Sequence, residues 1–254
     1  KSKFNLENVE LINDFGVLLY GIPFLQKTQS AVVQIGEEND RDGKNLHAIV
    51  GAGTGLGIAR GIITGHDVKV LESEGGHIEF SPRTKMEWEL KIWLEKYLRV
   101  ERISCERIIS GLGLSRIAEW RLSKPDAKNH PFQKTMGKLK VSDDLRKKIP
   151  NQICNLSKEG DILMMEIERI WLEAYASFIG DLAVHELCYG GLWIAGGTAS
   201  KHFNFFNSDL FLKHFSNKGR LKDIVRSIPV NVILDEEFGL YSAACRAKLL
   251  GSSE

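Results

Sequence analysis

The sequence predicts an α/β protein in which helices pack against a mixed β-sheet. Two features of the segment order lead to this class. Short strand-like segments cluster before residue 72, and helical patterns dominate from residue 84. Later strand-like segments, at 192–195 and 230–234, alternate with helices. This order is typical of a sheet covered by helices.

The first elements are expected to be short and extended. Residues 9–12 are expected to form a strand that runs into Asn13 and Asp14, and a short helical stretch over 15–20 ends at Gly21-Ile22-Pro23. Four more strand-like segments follow, at 30–35, 46–50, 57–64 and 68–71. Gly65-His66-Asp67 is typical of a hairpin turn between the last two.

Helices are expected in most of the remaining chain. In the first, apolar side chains recur at helical spacing, and Thr84 with Glu87 has the pattern of a capping box. The segments expected to follow are a helix from Ser110-Gly111, a loop over 124–137, a short helix near 145–153, a long buried helix near 159–187 and a last helix over 236–250.

Charge and composition exclude several classes of protein. The 34 Lys and Arg residues nearly balance 33 Asp and Glu, so a broad basic surface for nucleic acid is absent. The sequence contains no run of about 18 apolar residues, so no membrane span is expected. The polar residues at its start do not resemble a signal peptide. The four cysteines lie far apart, as expected for free thiols in a reducing compartment. We therefore expect a cytoplasmic protein.

The strongest local pattern is Gly51-Ala52-Gly53-Thr54-Gly55-Leu56-Gly57, called the glycine loop below. Its glycines let the backbone approach a ligand and permit positive φ, so that N–H groups can converge on an anion. The Rossmann pattern fails, because Leu56 or Ile58 stands where the third glycine belongs, and the Walker pattern lacks Gly-Lys-Ser/Thr. The loop therefore either holds phosphate through backbone N–H groups or is an unliganded turn.

Three other segments carry polar side chains. Asn13 and Asp14 can bind the hydroxyl groups of a polyol and can supply a general base. An Asn-Asp pair is also typical of an ordinary turn or helix cap. Glu74 and His77 can flank one small site; a solvated loop and a metal site are the alternatives, and one His with a carboxylate makes a poor zinc site. Glu106 on its own is typical of a surface residue.

In this order, these segments resemble the bacterial glucokinase family of the hexokinase/actin-like ATPase superfamily. The matching stretches are Ile12-Asn13-Asp14-Phe15, the glycine loop, Glu74-Gly75-Gly76-His77, Cys105-Glu106-Arg107 with Ser110-Gly111, Ile194-Ala195-Gly196-Gly197 and Gly239-Leu240-Tyr241-Ser242-Ala243-Ala244. They span nearly the whole chain. The neighbouring repressor/open-reading-frame/kinase sugar kinases carry a Cys-rich zinc segment after their Glu-x-Gly-His motif, and none follows His77.

The resemblance implies a hexokinase/actin-like (ribonuclease H-like) fold and phosphorylation of the glucose 6-hydroxyl by ATP with Mg²⁺. It implies Asp14 as the general base. The glucose ligands would be Asn13, Glu74, His77 and Glu106. The nucleotide-binding residues would be Gly53, Thr54, Gly55, Gly196 and Gly197. No residue is expected to bind a metal directly, and the resemblance leaves a homodimer open.

One departure from the family pattern affects the N-terminal region. These ATPases have an Asp-x-Gly-Gly-Thr phosphate hairpin well before the Asn-Asp pair, and none precedes Asn13 here. We therefore expect an incomplete small domain, formed by residues 1–24 and 233–254, beside a large domain at 25–232. The alternative to a glucokinase is a catalytically incomplete sugar-binding fragment or pseudo-kinase. A dinucleotide-dependent enzyme and a transcriptional regulator are less favoured.

Overall fold

The computed structural model of the chain describes residues 9–26, 28–34, 36, 44–137 and 143–251, with backbone only over 143–147. The strands are β1 (Ser30–Gln34), β2 (Leu46–Ala52), β3 (Leu56–Thr64), β4 (Asp67–Leu71), β5 (Gly191–Ile194) and β6 (Val230–Ile233). The helices are α1 (Lys85–Leu98), α2 (Gly111–Leu122), α3 (Gln133–Gly137), α4 (Asp143–Lys158), α5 (Ile162–Glu186), α6 (Gly197–Lys201), α7 (Phe203–Phe206), α8 (Asp209–Phe215), α9 (Lys222–Arg226) and α10 (Phe238–Gly251).

The chain divides into two compact units. The sheet unit comprises Lys1–Gly51, Gly57–Glu74 and Ile179–Glu254, and the helical unit comprises Ala52–Leu56 and Gly75–Phe178. The domain boundaries expected at residues 24 and 233 refer to the complete family architecture and stay a prediction. No helix in the described ranges is both long and apolar enough to cross a bilayer.

The sheet unit holds one mixed sheet, as the sequence predicts. The strand order is β1-β6-β5-β2-β3-β4, with β2, β5 and β6 parallel and with antiparallel pairs at β1–β6 and β3–β4. In β2, Ala48, Ile49 and Val50 are fully buried, which is typical of a parallel strand covered on both faces. The mixed sheet with packed helices confirms the predicted α/β class.

The turn between β3 and β4 follows the expected hairpin pattern. Thr64 pairs with Asp67 across a two-residue connection, and Gly65 has a φ of 61°. Glycine is favoured there because an L side chain rarely adopts positive φ.

A 3₁₀ helix, Gly16–Phe24, packs against α10 in the core of the sheet unit. Its Leu18, Leu19 and Ile22 are buried among residues from the sheet and α10. Gly21 permits this close approach, because a Cβ there would lie 2.2 Å from Ser242 Oγ. Removing water from these apolar surfaces is the main driving force for this packing.

In the helical unit, the sequence signals for two helix starts are confirmed. Thr84 Oγ1 accepts a hydrogen bond from the N–H of Glu87 (3.1 Å), while Glu87 Oε2 accepts one from the N–H of Arg83 (2.7 Å). The return bond thus lies one residue earlier than in the usual capping box. Ser110 caps α2 by accepting a hydrogen bond from the N–H of Gly113 at 3.0 Å.

Several expected elements are wrong. Residues 9–12 are not a strand, because no described segment forms a ladder with them, and the Leu11 side chain is 99% exposed. The helical stretch after Asp14 is a 3₁₀ helix that continues through Pro23. The expected loop at 124–137 contains a 3₁₀ turn, Pro125–Ala127, and α3, since proline suits the first position of a helical turn.

Other segments are more helical than expected. The short helix near 145–153 is the 16-residue α4, which accommodates Pro150 in its interior. The four short helices α6–α9 were not expected from the sequence. All four cysteines are free, as predicted.

His47 in β2 gives the sheet a pH-dependent contact. The indole Nε1–H of Trp193 on the neighbouring β5 donates a hydrogen bond to His47 Nδ1 at 3.2 Å. Burial lowers the pKa of His47 to about 4, because desolvation penalises the charged imidazolium. The unfolded chain takes up this proton near the ordinary histidine pKa of about 6.5. The His47 contribution to stability is therefore complete above pH 6.5 and lost as the pH falls towards 4.

We predict that His47→Gln will weaken the pH dependence of stability. A glutamine can accept a hydrogen bond from Trp193 but takes up no proton. Thermal unfolding of both proteins between pH 7 and 4.5 tests this, and the wild type should lose more stability than the variant. Melting curves that shift in parallel would contradict the prediction.

Candidate functional site

Asn13 and Asp14 lie at the start of the 3₁₀ helix, and both side chains are exposed. Asn13 Oδ1 accepts hydrogen bonds from the N–H groups of Phe15 (2.9 Å) and Gly16 (3.1 Å). Asn13 therefore closes the turn that leads into the helix, which agrees with its interpretation as an ordinary turn or cap residue. Its Nδ2 has no hydrogen-bond partner within the described part of the chain. These two hydrogen bonds fix the side-chain oxygen of Asn13 and leave its Nδ2 able to donate to a ligand.

The two outer glycines of the glycine loop make room for the ring of Phe15. A Cβ at Gly57 would lie 1.9 Å from Phe15 Cδ2, and one at Gly51 would lie 2.8 Å from Phe15 Cε1. A Cβ at Gly51 would also lie 2.4 Å from the carbonyl oxygen of Ala195. These glycines therefore serve packing, and the Phe15 ring next to Asp14 in the chain fills the space that they leave.

Asn13 and Glu74 line one cavity of the sheet unit, with a volume of about 850 Å³. All five residues of β4 contribute to its wall, as do residues 10–12. Asp14 does not line it. The structure thus brings two of the predicted glucose ligands to the same cavity.

The inner part of the glycine loop is a turn at the surface of the helical unit. The N–H of Gly53 donates to the carbonyl of Gly55 (2.8 Å), and the N–H of Gly111 donates to the carbonyl of Gly53 (2.8 Å). The N–H groups of Thr54 and Gly55 meet no acceptor among the described residues. Two consecutive N–H groups at an accessible turn can bind a phosphate oxygen.

The glycines of this loop act differently from the sequence expectation. None of the four has a positive φ. The expectation that their N–H groups converge through left-handed backbone conformations is therefore wrong. Gly53 has no atom within 4 Å of an added Cβ, whereas a Cβ at Gly55 would lie 2.6 Å from Glu106 Oε2. Close approach of neighbouring groups, rather than φ, accounts for Gly51, Gly55 and Gly57.

Glu106 lies beside this turn, on a 3₁₀ helix formed by Cys105–Arg107. Its Oε2 accepts a hydrogen bond from the N–H of Leu56 at 3.2 Å. A predicted glucose ligand therefore directly contacts the predicted phosphate turn. The sequence alone suggests a surface position for Glu106; the side chain is in fact partly buried.

His77 ends a second 3₁₀ helix of the helical unit, Gly75–His77. Gly76 packs on the glycine loop, since a Cβ there would lie 2.2 Å from the carbonyl oxygen of Leu56. The His77 side chain is exposed, and its carbonyl accepts a hydrogen bond from Arg102 Nη1 at 2.7 Å. His77 is thus anchored through its backbone near the turn that Glu106 contacts.

Gly196 and Gly197 lie just beyond the end of β5 in the sheet unit, separated from it by Ala195, and Gly197 begins α6. Gly196 has a φ of 87°, a conformation that favours glycine, and an added Cβ at either residue would meet no atom within 4 Å. β5 is parallel to β2, and Val50 pairs with Ile194. The glycine loop and Gly196-Gly197 therefore leave the sheet at the carboxyl ends of neighbouring strands, where α/β proteins commonly bind ligands.

Sequence reasoning missed three aromatic residues that contact this region. Phe15 packs on the outer glycines, Tyr175 Oη accepts a hydrogen bond from the N–H of Ala52 (3.1 Å), and Trp171 Nε1 donates one to the carbonyl of Ser110 (3.1 Å). The available signal was a Trp and a Tyr four residues apart in an apolar helix, because buried aromatic side chains with polar heads need hydrogen-bond partners.

Comparison with known proteins gives concordant matches across the chain. The family model described as Glucokinase matches residues 1–250. A glucokinase of Nostoc punctiforme is 34% identical over 258 residues, covering 98% of this chain and 74% of its own length. A glucokinase of Synechocystis is 36% identical over 250 residues, covering 96% of this chain and 70% of its own. The crystal structure of a glucokinase from an Antarctic psychrotroph matches with a TM-score of 0.77 at 26% identity, covering 99% of this chain and 71% of the other.

We predict that Gly57→Ala will destabilise the protein by about 1–3 kcal/mol, the usual cost of overpacking. Its methyl group would collide with the Phe15 ring. Gly53→Ala is the matched control and should change the unfolding free energy by less than about 0.5 kcal/mol. Denaturant unfolding measures both, and equal effects would contradict the packing role assigned to Gly57.

Proposed function

This chain belongs to the glucokinase family of enzymes, and we propose that it transfers the γ-phosphoryl group of ATP to the 6-hydroxyl of glucose in the cytoplasm. The products are glucose 6-phosphate and ADP. Asp14 is the general base, and Asn13, Glu74, His77 and Glu106 bind the sugar hydroxyls. The phosphates contact Gly53, Thr54 and Gly55, with Gly196 and Gly197 on the adenosine side.

The observation that carries this proposal is the contact between Glu106 and the phosphate turn. Glu106 Oε2 is engaged with the N–H of Leu56, so we assign the contact with a sugar hydroxyl to Oε1. The two N–H groups available at the turn belong to the residues immediately before Leu56. The proposed ligand of the sugar hydroxyl and the proposed ligands of the phosphate are thus next to each other. Phosphoryl transfer requires this, because the hydroxyl and the phosphate must be held close together.

The chemical step needs a proton acceptor, because a sugar hydroxyl is a weak nucleophile. The carboxylate of Asp14 accepts the proton of the 6-hydroxyl while the oxygen of this hydroxyl forms a bond to the γ-phosphorus. The bond from phosphorus to the oxygen bridging the β- and γ-phosphates breaks, and ADP leaves with that electron pair. Asn13 Nδ2 donates to a sugar hydroxyl, and the N–H groups of Thr54 and Gly55 stabilise the phosphate charge.

The donor set at the turn fits phosphate oxygens and does not fit a directly bound cation. One carboxylate, that of Glu106, lies beside the turn and is engaged with the N–H of Leu56. The other groups are backbone N–H groups and the Thr54 hydroxyl, whereas Mg²⁺ prefers carboxylate and phosphate oxygens and retains several waters. We therefore propose that Mg²⁺ arrives coordinated by the nucleotide phosphates. Bound there, it would neutralise part of the phosphate charge.

We predict that Asp14→Asn will lower kcat roughly 10²–10⁴-fold in the full-length protein, because the amide cannot accept the proton. Glucose affinity should stay within a few-fold, since the side chain keeps its size. A coupled assay for glucose 6-phosphate gives kcat, and calorimetry gives the dissociation constant for glucose.

Asp209→Asn is the matched control, since it makes the same exchange at an exposed helix start. It should leave kcat unchanged. Near-normal turnover of Asp14→Asn would remove Asp14 from the role of base. Glucose binding by the wild type without any turnover would contradict the kinase proposal and support a binding-only protein.

A further inference from the structure

Two buried aromatic residues of α5 reach the phosphate turn from inside the helical unit. Tyr175 is 0% exposed and Trp171 is 1% exposed, and their ring centroids lie 5.6 Å apart. The Tyr175 hydroxyl oxygen accepts a hydrogen bond from the N–H of Ala52 at 3.1 Å. Trp171 Nε1 donates one to the carbonyl of Ser110 at 3.1 Å. One helical turn therefore supplies two polar contacts to the surrounding backbone.

Both contacts lead to the same residue of the glycine loop. Ala52 directly precedes Gly53. Ser110 caps α2, whose first residue, Gly111, donates its N–H to the carbonyl of Gly53 at 2.8 Å. Tyr175 thus holds the peptide between Gly51 and Ala52. The peptide between Gly53 and Thr54 is held by the α2 start that Trp171 contacts. Thr54 and Gly55 follow immediately.

We propose that Tyr175, supported by Trp171, is a positioning residue that orients the N–H groups of Thr54 and Gly55 towards the nucleotide phosphates. This inference rests on the proposed kinase function. Tyr175 itself does not touch substrate, since it lies fully buried behind the turn. It acts by fixing the point where β2 ends and the turn begins.

The physical reason lies in the difference in burial between Ala52 and the two residues that follow it. Ala52 is buried, whereas Gly53 and Thr54 are exposed. Removal of the Tyr175 hydroxyl takes one hydrogen bond away from this buried N–H, and the loss of a buried hydrogen bond weakens the hold on the backbone at Ala52. α5 is a 25-residue helix and provides a rigid support. Burial also raises the pKa of Tyr175, which keeps the phenol neutral.

The test is Tyr175→Phe in the full-length protein, which removes one oxygen atom. We expect the KM for ATP to rise about tenfold, corresponding to one lost hydrogen bond of ordinary strength. The KM for glucose should stay within about twofold, because Glu106 still anchors the turn at Leu56. Trp171→Phe should change the ATP parameters in the same direction by a smaller factor, and it remains available if Tyr175→Phe does not fold.

The matched control is Tyr241→Phe. Tyr241 Oη donates a hydrogen bond to the carbonyl of Phe24 at 2.9 Å, in the sheet unit. The control thus also loses one hydrogen bond between a tyrosine hydroxyl and the backbone, at a position that does not touch the phosphate turn. It should leave the KM for ATP and the KM for glucose unchanged. A rise in the KM for ATP as large as that of Tyr175→Phe would overturn the inference.

A second readout does not depend on catalysis. Hydrogen exchange measured by mass spectrometry should show faster exchange in a peptide covering residues 50–58 of Tyr175→Phe, but not of Tyr241→Phe. Unchanged exchange together with an unchanged KM for ATP overturns the inference and leaves the kinase proposal standing. A wild type without kinase activity overturns the kinase proposal instead. The inference is then decided by the exchange and by ATP affinity from calorimetry, where a wild-type value for Tyr175→Phe overturns it.

Discussion

The hydrogen bond between Glu106 and the N–H of Leu56 is the constraint on which the candidate site depends. It occupies one carboxylate oxygen and thereby directs the other. It also requires glycine at position 55, because a side chain there would displace the carboxylate. Gly76 is needed for a related reason, since the carbonyl of the same Leu56 lies against it. One short backbone segment thus contacts both Glu106 and the 3₁₀ helix that His77 ends.

In the sheet unit, the exposed side chain of Asp14 is held in place by its neighbours in the chain. Among the residues that the structure describes, the Asp14 carboxylate accepts a hydrogen bond from the N–H of Phe15 and from no other group. Its neighbours provide the rigidity. Asn13 accepts hydrogen bonds from the N–H groups of Phe15 and Gly16, and the Phe15 ring fills the space left by two glycines. The proposed base can therefore stay open to solvent while the backbone on both sides is fixed, which is the usual requirement for a preorganised group.

The sequence was sufficient for the fold class and for the motifs, because strands, caps and glycine runs are local patterns. Thr84, Ser110 and Gly65 show this, since each is explained by its immediate neighbours. Local patterns could not reveal the contact between Ala52 and Tyr175, which lie 123 residues apart in the chain. They also misassigned residues 9–12, because an apolar extended segment becomes a strand only when another strand pairs with it. The short helices α6–α9 contain too few turns for a clear period.

The unequal surroundings of the loop glycines have a consequence for how this motif should vary among related sequences. Position 53 has open space and ordinary backbone, so alanine or serine there is compatible with an intact turn. Position 57 shares its space with an aromatic ring that is 42 residues earlier in the chain. A larger residue at 57 should therefore occur only together with a smaller one at 15. Aligned sequences would record this spatial contact as a pair of coupled columns, while column 53 would vary independently.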